Sequence, residues 1–237
     1  MAPTATVLPD RLEALKTREL LHGSHDDIER GMCVMEAVAW VAGEKHSYQP
    51  NCSCPVLGAF MVTWNDQIRD TATRTRLLMP LVERLVGSRS TKAVEQRRAD
   101  IALDWLIRVD TARIMEMTPE LKDHAAALRA LPPLFTKGAL KSAQPTIDAA
   151  SAAAQNAAAA RAAARDAAWA AVERAALALK KDVSGLTWQE AYDAAKPACV
   201  ALFAPTRDTI ERSALDLIDQ MLAVTPESLA AEKGGAA

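Results

Sequence analysis

Apolar side chains recur along this chain every three to four residues, the spacing that places them on one face of an α-helix, and the alternating β-branched runs that mark strands are missing. Leu12, Leu15 and Leu20 predict a first helix. Ile28, Met32, Met35, Val38, Ala39 and Ala42 predict a second, opened by Asp26 or Asp27 and closed by Gly43. Residues 44–53 lack periodicity and read as a loop. A third helix starts near Cys54-Pro55, where proline suits the first turn, and buries Leu57, Phe60, Met61 and Trp64. Arg76 to Val86 carries a fourth, with Pro80 early in it, and Gly87-Ser-Arg-Ser-Thr91 breaks it. Val94, Ile101, Leu103, Trp105, Leu106, Val109 and Met115 then form the stripe of one long helix, which stops before Thr118-Pro119, a cap followed by a first-turn proline.

Pro132-Pro133, Gly138 and Pro145 mark a linker over 132–146, separating an N-terminal helical module over 10–131 from a C-terminal helical region over 147–225. The C-terminal region opens with an alanine-rich helix, Asp148 to Lys181, on which Arg161, Arg165, Trp169 and Glu173 fall four apart and share a face. Alanine lets such a helix approach another closely, so it reads either as a solvated flanking helix or as an interface within the fold or between subunits. Gly185 ends it, Thr187-Trp-Gln-Glu190 is a capping box for the next helix, and Ile210, Leu215, Leu217, Ile218 and Leu222 line a last one. The tail over 226–237 is expected to be disordered. The fold class is therefore all-α, an irregular multi-helix bundle with a long alanine-rich helix in its C-terminal part.

Half of the 237 residues are apolar, but alanine makes up much of that half, so the core rests on relatively few large side chains. With 28 basic and 30 acidic residues, the net charge of -2 does not suit a protein that holds nucleic acid mainly by neutralising phosphates. A local basic face is conceivable between Arg69 and Arg113, where Arg74, Arg76, Arg84, Arg89, Lys92, Arg97, Arg98 and Arg108 cluster. Acidic residues such as Glu83, Asp100 and Asp104 offset them, and mixed charge on a solvated helix side is the plainer reading. No run approaches the roughly 18 apolar residues of a membrane span, and the first residues carry no export pattern, so a cytoplasmic protein with reduced thiols and no membrane partner is expected.

Chemistry concentrates between His22 and Cys54. His22, His25, Cys33, Glu36, Glu44, His46, Cys52 and Cys54 stand there, including all but one of the four histidines and all but one of the four cysteines. The exception among the thiols, Cys199, lies in an apolar run and reads as a small buried hydrophobe. His22-Gly-Ser-His25 and Cys52-Ser-Cys54 supply two imidazoles and two thiols, a ligand set that fits tetrahedral zinc although the spacing is not a standard one. Cys33, with Glu36 one turn on and His46 beyond, offers a thiol, a carboxylate and an imidazole for nucleophilic catalysis, but a helix opening at Asp26-Asp27 would leave Cys33 far from the helix N-terminus. The structural alternative packs Cys33 against Ala37 and Trp40 and lets the histidines hold loop backbone. Glu36 stands among Met35, Ala37, Val38 and Trp40, so if buried it needs a partner. Asn65 and Asp66 read first as the lead into the next turn and alternatively as lining the same site.

His22-Gly-Ser-His25, Cys33-Val-Met-Glu-Ala-Val-Ala-Trp-Val-Ala-Gly-Glu44, His46-Ser47, Cys52 with Pro55-Val56, Trp64-Asn-Asp66, Arg84-Leu-Val-Gly-Ser-Arg-Ser-Thr91 and Glu95-Gln-Arg-Arg98 together resemble an uncharacterised helical protein family of actinobacteria and their phages. The resemblance covers about residues 15–130 and leaves the alanine-rich part outside. It implies a bacterial or phage-infected cytoplasm and brings no activity with it. The expected function is that of an accessory protein binding a protein or nucleic-acid partner, with homo-oligomerisation through the alanine-rich helix as one form of that role. A metal-dependent or cysteine-dependent enzyme using the His22–Cys54 cluster is the first alternative, and a phage assembly component the second.

Overall fold

A computed structural model of the chain describes residues 6–178, 209 and 211–234, and over 159–178 and 233–234 the backbone alone. The described residues are helical with no strand among them, as the periodicity predicts. The helices are α1 (Pro9–Leu15), α2 (Val34–Val41), α3 (Pro55–Gln67), α4 (Thr71–Leu85), α5 (Lys92–Asp104), α6 (Ala112–Glu116), α7 (Lys122–Ala130), α8 (Lys137–Ala178), α9 (211–223) and α10 (Pro226–Gly234). A π-helical stretch, Trp105–Thr111, joins α5 to α6, and a short 3-10 turn, Pro119–Leu121, precedes α7.

Two compact units emerge, one from Met1–Ala102 with Leu215–Ala237 and one from Leu103–Ala214. This division departs from the sequence expectation of a boundary at 132–146. Thr136 explains the difference: its hydroxyl accepts from the Ala139 N–H at 3.1 Å and its carbonyl from the Leu140 N–H at 3.0 Å, so α8 begins at Lys137 and runs through Pro145. Only a few residues around Pro132-Pro133 remain as a connection.

In the first unit α2 is the centre. It packs against α1, α3 and α4, and every residue from Val34 to Ala39 is buried. Helix α2 is much shorter than the apolar pattern suggests. Asp27 Oδ1 takes the N–H groups of Glu29 and Arg30 into a local turn, Gly31 adopts φ +128°, and the helix starts only after Cys33. A side chain at Gly31 would also collide with Leu21, whose Cδ1 would lie 2.5 Å from the added carbon. Gly43, at φ +74°, closes α2 where expected. Helix α4 begins earlier than the pattern suggests because the Asp70 carboxylate accepts from the Thr73 N–H at 2.6 Å, which leaves Pro80 inside the helix. The Trp40 ring lies against two guanidinium groups, those of Arg11 at 5.9 Å and Arg18 at 5.6 Å, which dock α1 and the following loop on α2.

The chain returns to this unit at its far end. Leu217, Ile218 and Met221 of α9 are fully buried there. Residues 226–234, expected to be disordered, form α10 instead. Arg98, 4% exposed, supplies the reason: Nε donates to the Met221 carbonyl at 2.8 Å and Nη2 to the Val224 carbonyl at 3.0 Å, while Nη1 donates to the Ser88 carbonyl at 2.5 Å. Thr225 and Ser228 then cap α10 reciprocally.

The second unit packs Ala112, Met115, Leu121, Ala125, Leu128 and Ala150 into a small core with Ile107 and Ile147 at its edge. The first turns of the alanine-rich helix thus serve internal packing, where small side chains permit close approach. The shared face of Arg161, Arg165, Trp169 and Glu173 lies outside the described side chains, and Gly185, the Thr187–Glu190 capping box and Cys199 lie outside the described residues.

Replacing Arg98 by methionine keeps the stem but strands three buried carbonyls. The Arg98→Met protein is expected to lose about 2–4 kcal/mol in urea unfolding, with amide protection lost first over 226–234; unchanged protection there would refute the role of Arg98.

Candidate functional site

The segment between α1 and α2 is irregular, and irregular backbone near a core needs partners for its N–H and C=O groups. The Leu21 N–H donates to the Met32 carbonyl at 2.8 Å, closing His22 to Gly31 into a loop. Side chains from α2, α3 and α4 hold that loop from within.

Glu36 is the hub. At 1% exposure it accepts from the His25 N–H at 2.8 Å, from His25 Nδ1 at 2.9 Å and from the Cys33 N–H at 2.7 Å, and His46 Nε2 lies 3.6 Å from its Oε1. A carboxylate only accepts, so Nδ1 of His25 carries the proton. His46 Nε2 also meets the His25 carbonyl at 3.0 Å and therefore donates. Burial acts to raise the Glu36 carboxyl, but the hydrogen bonds from His25 and Cys33 outweigh it and hold the group below the ordinary glutamate range.

Asn65 is the second anchor. Its Oδ1 accepts from the Val34 N–H at 3.2 Å and its Nδ2 donates to the Leu21 carbonyl at 2.9 Å. Asp66 accepts from the Gly23 N–H at 2.9 Å. For Asp66, burial is again opposed, here by Asn65, the Gly23 N–H and the charges of His22 and Arg74, and the carboxyl is held low. These two residues belong to the cluster and do not merely lead into the next turn. Arg74, 1% exposed, completes the set: its guanidinium donates to the carbonyls of Asn65, Leu20 and Ile68.

The candidate catalytic residues Cys33, Glu36 and His46 therefore meet, as a loop-holding network. Cys33 is the N-cap of α2 and forms a capping box with Glu36, a position read from the sequence as well inside the helix. Burial pushes its thiol up to about 12, so it is not a thiolate at neutral pH.

The four proposed zinc ligands do not gather. His25 is bonded to Glu36, while Cys54 is the fully buried N-cap of α3. Cys52 sits in the turn that Glu44 holds by accepting from the N–H groups of Asn51 at 2.6 Å and Cys52 at 2.7 Å, and burial pushes its thiol up to about 11. Among the described residues no three His, Cys, Asp or Glu side chains are placed to hold a metal ion.

The basic stretch from Arg69 to Arg113 also divides. Arg74 and Arg98 are interior, whereas Arg84 pairs with Asp219, Arg97 with Glu232, Arg108 with Asp104 and Arg113 with Asp110. Arg74 and Arg98 carry no signal in a single sequence, because nothing in residue type or spacing separates a buried arginine from a solvated one. No helix among the described residues is long and apolar enough to cross a membrane. No family model, curated protein or solved structure matches the chain.

The depressed Glu36 carboxyl contributes stability that is complete above the ordinary glutamate range and is lost as pH falls through the folded value. Glu36→Gln places an amide donor against N–H donors, and is expected to cost about 2–4 kcal/mol at pH 7. Below about pH 4 the difference from the parent protein narrows. Urea titrations across pH check both, and a gap independent of pH would contradict the assignment. Cys33 and Cys52 are expected to resist iodoacetamide in the folded protein at pH 8 and to react only at the rate of unfolding; rapid native alkylation of Cys33 would restore it as a nucleophile.

Proposed function

We propose that this chain is a helical accessory protein that acts by binding a protein partner through its second unit. The observation that carries the reading is a row of large apolar side chains left in solvent: Leu106 at 49%, Val109 at 39%, Ile114 at 52% and Met117 at 45% exposure. They are spaced three, five and three residues apart, and the five-residue step spans the end of the π-helical stretch, whose i→i+5 bonding widens the turn. Four large apolar side chains exposed within one short segment of a small protein fit a binding surface better than a solvated one.

The charges beside the row indicate the kind of partner. Arg108 pairs with Asp104 at 3.1 Å and Arg113 with Asp110 at 2.5 Å, so the guanidinium groups are balanced within their own helix. An apolar strip edged by neutralised ion pairs suits the apolar face of another protein and gives little to a phosphate backbone. The enzyme alternative draws less support, because the groups that could do chemistry are engaged in holding the His22–Gly31 loop.

A photo-crosslinking residue placed at Ile114 is expected to give one defined heterologous adduct in cell extracts. The purified pair is expected to bind about tenfold or more weakly when Leu106 and Met117 are both changed to Asp. A doubled solution mass abolished by the same substitutions would replace the partner with a second copy of the chain, and undiminished affinity in the double variant would overturn the reading.

A further inference from the structure

A cavity of about 380 Å³ opens in the first unit, where the break between α4 and α5 meets the turn between α9 and α10. Arg84, Arg89, Arg98, Ser88, Ser90 and Thr225 line it, and no acidic residue does so among the described ones. Such a volume lies near the lower end of small-molecule sites, about 300–1,000 Å³.

The charge inside is unbalanced. Arg98 is buried and its N–H groups meet backbone carbonyls, which satisfy three of its donors without neutralising its charge. Among the described residues no carboxylate lies within ion-pair distance of Arg98 or Arg89. Arg84 holds Asp219 at 2.6 Å, but both side chains are well exposed and the pair is screened by water. The Thr225 hydroxyl accepts from the Ser228 N–H and donates to the Glu227 carboxylate. The N-termini of α5 and α10 begin just beyond Ser90 and Thr225, and Glu95 and Glu227 in their first turns already offset the positive ends of those helices.

Guanidinium groups facing one hollow, one of them buried without a counter-charge, make a site for a multiply charged oxyanion. We infer that the cavity binds a small phosphate-bearing molecule, with its phosphate against Arg89 and Ser90, Arg98 behind them, and its organic portion filling the remaining space. A carboxylate would bring a single charge to three guanidinium groups, whereas a phosphate monoester brings close to two. The inference uses residues of the first unit alone and does not depend on the apolar row of the second.

Calorimetric titration with inorganic phosphate, pyrophosphate and ribose 5-phosphate tests it, alongside amide chemical shifts. Saturable one-to-one binding of ribose 5-phosphate is expected, tighter than that of inorganic phosphate, with shifts confined to Ser88, Arg89, Ser90 and Thr225. Arg89 is exposed and its replacement leaves the core intact; Arg89→Ala should weaken binding about tenfold, with Arg89→Lys in between. Three results would each overturn the inference: absence of saturation at millimolar ligand, equal affinity in Arg89→Ala and Arg84→Ala, or tighter binding of an oligonucleotide than of the phosphate monoester.

Discussion

A single buried carboxylate sets the conditions for the rest of the first unit. Glu36 lies in a helix whose other residues are all apolar, where an unpartnered charge would be untenable, yet it carries that charge because His25 and Cys33 turn three N–H groups toward it. Those donors come from segments with no regular structure of their own. The carboxylate and the loop are mutually dependent: the loop supplies the solvation that water cannot, and Glu36 supplies the acceptors that a helix or sheet would otherwise provide.

The same arrangement recurs wherever backbone leaves a helix near the core. Asn65 and Arg74 close the carbonyls around Leu20 to Leu21 and at Ile68, Glu44 closes the N–H groups of Asn51 and Cys52, and Arg98 closes three carbonyls at once. With alanine filling so much of the apolar half, large side chains are scarce, and directional polar contacts carry much of the specificity that a larger core would provide.

Helix spacing in the sequence identified the fold class, the break at Gly87, the stop at Gly43 and the start at Pro55, because each depends on neighbours within one turn. Gly31 and Asp27 shortened α2, and Asp70 and Thr136 lengthened α4 and α8; each is a local signal outweighed by apolar periodicity. The gathering of His25, Cys33, Glu36 and His46 was legible as a concentration of residue types, but its purpose was not. Whether an imidazole faces a metal, a substrate or a carboxylate depends on chain geometry that no spacing encodes. Arg74 and Arg98 were illegible for the same reason, since burial of an arginine is decided by carbonyls far away in the chain.

The split composition of the first unit shapes how the protein is made. Arg98 and its acceptor at Met221 are 123 positions apart, so during synthesis at about 5–20 residues per second the guanidinium waits roughly 6–25 s for its first C-terminal carbonyl. Throughout that interval, while the intervening unit is being synthesised, the hydrophobic sites later covered by Leu217 and Ile218 stand open. The nascent chain therefore passes through a state in which its last-made helices are missing from its first-made core, and that window is when a chaperone would find it.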